Sequence, residues 1–212
     1  MSESVRPKPS DGGPSFSLGH RAYRAAWTVA WTLLAAWTPP FFNPWRRMLL
    51  RVFGARIAPT ARVHASVCIW YPANLEMGDQ ACLGPRVDCY TMAKITLGAY
   101  ALASQGAHLC AGTHDIDDPD FTLRAGPIAI GPNAWIAAGA FVGPGVTVGE
   151  GAVLGARGVA FSDLEPWTVY AGNPALMLKK RAHQPPGANW PTALHPPPAA
   201  RHRSPRPPGS AC

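Results

Sequence analysis

The chain has 212 residues, 47% of them hydrophobic, which suits one domain with a sizeable core and extensions. Its net charge of +7 sits mainly near Arg46, Arg47 and Arg51 and again in residues 179–206, leaving a nearly neutral middle without the basic face of a nucleic-acid binder. Five cysteines, an odd number with no CxxC pair, argue against a disulfide framework and a zinc knuckle and point to a reducing, cytosolic compartment.

Residues 1–19, with Pro7, Pro9, Pro14 and Gly12-Gly13, read as a flexible lead-in, and no signal-peptide core stands at the usual place. Residues 20–54 form a helical N-terminal segment. Tyr23, Trp27, Trp31 and Leu34 share one helical face over residues 20–38, which Pro39-Pro40 ends. The apolar run there is about 13 residues, short of the ~20 that span a bilayer. A second helix comes next, with Asn43 as cap, Pro44 in the first turn and Gly54 past the end. Trp45, Met48, Leu49, Val52 and Phe53 are expected on its buried face, with Arg46, Arg47 and Arg51 elsewhere. Both helices are expected to cap the first coil of the repeat region that begins at residue 55. A tryptophan-rich, arginine-flanked surface touching the inner membrane is the alternative use of the same segment.

A six-residue period takes over from residue 55 to 170. It runs through Ile57, Val63, Ile69 and Leu75, slips by two to Met77, Leu83, Cys89 and Ile95, and slips again to Leu97, Ala103 and Leu109. It is strictest at Ile130, Ile136, Val142, Val148, Leu154 and Ala160, with Gly131, Gly143, Gly149 and Gly155 after four of them. This is neither the 3.6 of a helix nor the 2 of a strand; it is the step of a parallel β-helix, roughly five turns of about 18 residues. The recurring residues point inward, Cys89 among them as a small core hydrophobe. The slips are expected as longer corners, and the glycines as residues that supply positive φ at the bends.

Residues 111–128 break the period. They hold four acids and one histidine and cannot supply inward residues, so they form a loop thrown out from one corner, where chemistry is expected. After residue 170 a short C-terminal helix, 171–182, is expected, and the Pro/Arg-rich tail 183–212 reads as disordered.

The chain carries Trp45-Arg46-Arg47, Leu49-Leu50-Arg51-Val52-Phe53-Gly54-Ala55, Ser104-Gln105-Gly106-Ala107, Thr113-His114-Asp115, Asn133-Ala134-Trp135-Ile136, Pro166-Trp167-Thr168-Val169 and Ala171-Gly172-Asn173-Pro174-Ala175. In these motifs, over residues 20–181, it resembles the hexapeptide-repeat acyltransferases, and most of all the colanic acid biosynthesis acetyltransferases. These are relatives of the maltose, galactoside and nodulation-factor O-acetyltransferases. The resemblance implies a left-handed parallel β-helix, a homotrimer, acetyl-CoA as co-substrate in a groove between subunits, and a sugar or lipid-linked glycan as acceptor.

An alcohol is a poor nucleophile while it keeps its proton, so acetyl transfer to a sugar needs a base, and histidine suits that role. His114 matches the family's catalytic histidine, with Asp115 as first candidate to fix its tautomer. A backbone amide near Ala137, Ala138 and Gly139 is the expected oxyanion donor. Trp135 faces outward and would line the acyl or pantetheine groove, with Ala156 beside it. Lys179, Lys180 and Arg181 are candidates for the CoA phosphates, and Asp88 and Tyr90 for the acceptor hydroxyls. One departure is that Ala160-Phe161-Ser162-Asp163 stands where the family often reads Val-Thr-Lys-Asp, so the lysine that helps hold the nucleotide is missing.

Three other readings are open on sequence. A zinc enzyme like the γ-class carbonic anhydrases would use His64, His108 and His114, although no metal is expected. A non-catalytic scaffold could bind an acyl carrier. An O-acetyltransferase could serve a small free sugar or serine. The expected location is cytoplasmic, at or near the inner membrane.

Overall fold

The computed structural model describes residues 16–181; residues 1–15 and 182–212, the latter holding the Pro/Arg-rich tail and Cys212, lie outside the described residues. Its body is the left-handed parallel β-helix, three-sided, with strands too short to bury anything alone. The first face stacks Arg56–Ile57, Leu75–Met77, Ile95–Leu97, Ile128–Ile130 and Thr147–Val148. The second stacks Arg62–Val63, Cys82–Leu83, Leu102–Ala103, Trp135–Ile136, Val153–Leu154 and Thr168–Ala171. The third stacks Cys68–Ile69, Asp88–Tyr90, His108–Cys110, Phe141–Val142 and Val159–Ala160. The inward residues of the three faces meet in one continuous core, and every position of the six-residue step is buried, from Ile57 to Ala160. Cys89 is fully enclosed there, and burial pushes its thiol pKa up, so it packs as an inert hydrophobe.

The two phase slips arise on strands, not at corners. Leu75–Met77 and Ile95–Leu97 are three residues long, and both end residues of each point inward. The glycines also serve a different end from the one expected. Gly131 does not adopt positive φ; Asn133, two residues on, does, at 57°. A Cβ on Gly131 would instead lie 2.7 Å from the Glu150 nitrogen, so glycine is needed where one coil's backbone presses on the next.

The N-terminal segment folds back on the first coil. Helix α1 (Leu18–Leu34) is capped by the Ser17 hydroxyl, which accepts from the His20 amide, and it buries Trp27 and Trp31. Ala35 completes that face in place of Leu34, which is exposed. Trp27 donates its indole N–H to the Ile69 carbonyl at 2.7 Å, which fixes α1 against the third face.

Helix α2 (Asn43–Val52) is rotated from the expected stripe. Its buried positions are Arg46, Leu49 and Leu50, while Trp45, Met48 and Val52 are exposed. Asn43 opens the helix, yet its side chain accepts from the Val63 amide at 3.0 Å and so ties α2 to the first coil. Arg46 is only 2% exposed. Its guanidinium donates to the carbonyls of Val63, Thr38, Pro39 and Pro40 and to the Thr38 hydroxyl. That satisfaction is what makes a buried cation tolerable. Arg47 and Arg51 likewise donate to the carbonyls of Ala61 and Ile57. The arginines therefore tie α2 across the open end of the coil, with Arg46 buried, Arg47 half-buried and Arg51 still exposed.

The C-terminal helix is absent. Leu176–Lys180 is a strand, antiparallel to Thr168–Ala171. Leu, Met and Lys are good helix formers, but Thr168–Ala171 would otherwise leave an unpaired edge, and pairing overrides the local preference.

Candidate active site

The interruption at residue 111 is a β-hairpin. Gly112–His114 pairs antiparallel with Leu123–Ala125, and the chain rejoins the first face at the buried Ile128. The tip is shaped by Asp118, whose carboxylate accepts from the Asp120 amide at 2.9 Å and from the Thr122 hydroxyl. The Thr122 hydrogen bond, then the Asp120 amide, holds the Asp118 carboxyl below its ordinary pKa.

His114 ends the outgoing strand, exposed to solvent. Its Nδ1 lies 2.6 Å from the Phe121 carbonyl oxygen. A carbonyl can only accept, so Nδ1 carries the proton, which leaves Nε2 as the ring nitrogen able to take up another. The orienting group is thus the Phe121 backbone and not Asp115. Asp115 is engaged by the Arg124 guanidinium, and its amide donates to the Thr122 carbonyl at 2.8 Å. Neither Phe121 nor Arg124 was marked by the sequence motifs, because their part depends on the cross-hairpin register.

A second set of groups lines the corner between the second and third faces. Trp135 faces outward as expected, and its indole N–H donates to the Ser104 hydroxyl at 2.8 Å, one coil below. The Ala137 amide donates to the Leu154 carbonyl and the Gly139 amide to the Gln105 carbonyl, so both are spent within the coil. The Ala138 amide has no partner among the described residues, nor does that of Ala156 on the next coil. The Arg157 amide donates to the Ala138 carbonyl at 2.9 Å, so these two free donors are stacked in register along one edge. Such fixed outward N–H groups can receive the developing oxyanion of an acyl transfer and the amide carbonyls of an extended acyl carrier.

His114 and Ala138 stand at different corners of the prism, the first between the third and first faces and the second between the second and third. Among the cationic candidates, Lys180 donates to Glu165 at 2.5 Å and to the Thr168 hydroxyl, and Arg181 donates to the Gly151 carbonyl. Lys179 is exposed and has no such partner among the described residues. Phe161, near the missing lysine's place, packs against Phe141 with ring centroids 5.6 Å apart.

On the third face Asp88 stands beside His108, 3.7 Å from its Nε2. Tyr90 packs against Trp70 and approaches the base of the hairpin at Gly112. His64 contacts Ser66 at the first coil, so His64, His108 and His114 do not converge. Among the described residues no three His, Cys, Asp or Glu side chains form a group able to hold a metal ion.

No protein-family model matches the chain. Over 155 residues it is 44% identical to WcaF of Escherichia coli K12, which is named as an acetyltransferase of colanic acid biosynthesis; the match spans 73% of this chain and 85% of WcaF. A maltose O-acetyltransferase structure from Clostridium difficile 630 superposes with a TM-score of 0.70 at 24% identity, covering 79% of this chain and 90% of that one. A galactoside acetyltransferase solved with coenzyme A gives a TM-score of 0.71 at 22% identity, covering 79% and 84%. These two share the fold.

Proposed function

The chain belongs to the acetyltransferase family that includes WcaF, and from that premise we propose that it transfers acetyl from acetyl-CoA to a sugar hydroxyl of a surface glycan or exopolysaccharide, in the cytoplasm. The observation that carries this reading is the 2.6 Å contact between His114 Nδ1 and the Phe121 carbonyl, on an exposed histidine whose Nε2 is left for the acceptor. In this reading the acceptor O–H proton passes to Nε2 as the oxygen attacks the thioester carbonyl. The carbonyl oxygen gains negative charge and is met by the Ala138 N–H. Collapse breaks the C–S bond, and the imidazolium returns the proton to the leaving sulfur, giving the acetyl ester and the free thiol. Trp135 and the Ala156 amide would lie along the acyl carrier, Lys179 would meet its phosphates, and Asp88 and Tyr90 would face the acceptor.

One chain cannot serve both halves, because His114 and Ala138 occupy different corners. A homotrimer, with each groove lined by two neighbours, would bring one chain's His114 to the next chain's Ala138. The test is release of CoA thiol from acetyl-CoA by the purified protein. Release that depends on added acceptor glycan, matched by O-acetyl on that glycan, is expected; release indifferent to acceptor would speak against the reading.

The N-terminal segment would add a peripheral contact with the inner membrane. Residues 25–45 contain no charged side chain, and Leu33, Trp37, Phe41 and Trp45 are exposed there. No helix of the described residues is long and apolar enough to cross a membrane, so the contact would be interfacial, through aromatic and aliphatic side chains. Full-length protein should co-sediment with phospholipid vesicles, and Trp37→Asp with Phe41→Asp should abolish this; unchanged sedimentation of the double variant would remove the contact.

A further inference from the structure

Acetyl transfer as described makes no use of Arg24. Residues 12–75 contain seven arginines and not one aspartate or glutamate. Three of the seven serve backbone carbonyls of the cap, and Arg56 pairs with Glu76. Arg24, on α1, has no such employment. Its guanidinium carbon lies 3.9 Å from the centroid of the Trp70 ring, and its Nε is enclosed without a hydrogen-bond partner. Among the described residues no carboxylate pairs with it. Burial lowers its pKa, so the cation is partly dehydrated, with no carboxylate among the described residues to compensate.

Position gives this cation a use. Trp70 contacts Tyr90, with ring centroids 5.3 Å apart. The Tyr90 carbonyl accepts from the Ala111 amide at 3.1 Å, and a Cβ on Gly112 would lie 2.9 Å from the Tyr90 ring. Arg24, Trp70, Tyr90 and the root of the hairpin are thus successive contacts, and His114 is two residues up the strand, about 7 Å at the rise of a strand. With the steps from Arg24 through Trp70 and Tyr90 added, the path to His114 is at most roughly 20 Å, the reach of an extended glycan or sugar-phosphate acceptor and not of one sugar ring.

We infer that Arg24, backed by Trp70, binds an anionic group, a phosphate or a carboxylate, carried by the acceptor. The inference rests on the acetyl-transfer reading for the identity of the ligand as acceptor. A planar guanidinium suits either oxyanion, because its donors match two oxygens at once, and stacking on an indole holds the fork in place.

The experiment is equilibrium dialysis of the full-length protein, without acetyl-CoA, against glucose 1-phosphate, glucuronate and glucose. The wild type should bind at least one of the anionic sugars about 10–100-fold more tightly than glucose, as expected for a charge-assisted contact. Which of the two binds tells phosphate from carboxylate. Arg24→Gln should lose that preference while Arg24→Lys keeps part of it. A ratio taken within one variant is insensitive to the fraction of folded protein. The inference is overturned by equal binding of charged and neutral sugars, by no binding of either, or by an undiminished preference in Arg24→Gln. Thiol release is scored separately. An anionic preference without thiol release would leave the site standing and remove the acetyl-transfer reading, and thiol release without the preference would do the reverse.

Discussion

Replacing His114 with alanine is expected to lower acetyl transfer by about 10²–10⁴, the range for loss of a general base, with the coil still folded. The effect is local. His114 is exposed at the end of Gly112–His114, and its ring contributes nothing to the core, so the variant has no route to a large loss of stability. What disappears is the Nε2 lone pair, which the Nδ1–H to Phe121 contact keeps available. His114→Asn should do no better, since an amide cannot take up the proton. Steady-state thiol release, with circular dichroism and the oligomeric state as controls, measures this. Turnover within a few-fold of wild type would remove His114 from the mechanism.

Ala138→Pro is expected to fold normally and to lose about 10²–10³ in turnover, the effect of removing one oxyanion donor. Alanine substitutions cannot reach a backbone amide, but proline can. Ala138 and Gly139 are the central residues of a turn closed by the Ala140 amide on the Ala137 carbonyl at 3.1 Å, with Gly139 at φ 64°. Proline is favoured at the first central position of such a turn. The chain already uses it there: Pro85 precedes Arg86 at φ 55°, Pro132 precedes Asn133 at φ 57°, and Pro144 precedes Gly145 at φ 80°. Pro85 stands at the same corner as Ala138, two coils below. The Ala138 amide has no hydrogen bond to lose among the described residues, so the substitution deletes a donor and leaves the ladder intact. Unimpaired thiol release by a folded Ala138→Pro variant would take the oxyanion away from this amide.

The coil was legible because its signal is additive over many repeats. An inward slot every sixth residue survives two slips, and even Cys89 is placed correctly by it. Trp135 could be turned outward for the same reason, being one residue before the buried Ile136. What the pattern missed depends on partners distant in the chain. Arg46 is buried because four carbonyls and a hydroxyl surround it, and no periodicity of α2 announces that. Leu176–Lys180 obeys the needs of a sheet edge and not its own preference. Asp115 looked like the natural partner of His114 because it is adjacent, yet strand neighbours point to opposite sides, and the register gives Asp115 to Arg124 and His114 to a backbone carbonyl. Ala138 emerged from its neighbours only when the hydrogen bonds of Ala137 and Gly139 were accounted for.

If one chain's His114 works with the next chain's Ala138 on a shared acetyl group, mixed subunits reveal it most directly. His114→Ala and Ala138→Pro proteins, each inactive alone, are unfolded and refolded together, and acceptor-dependent thiol release is measured. Recovery of a substantial fraction of wild-type activity is predicted, because some grooves then pair an intact His114 with an intact Ala138. Activity no higher than that of the two parents, in mixtures shown to contain both chains in one assembly, would contradict the account.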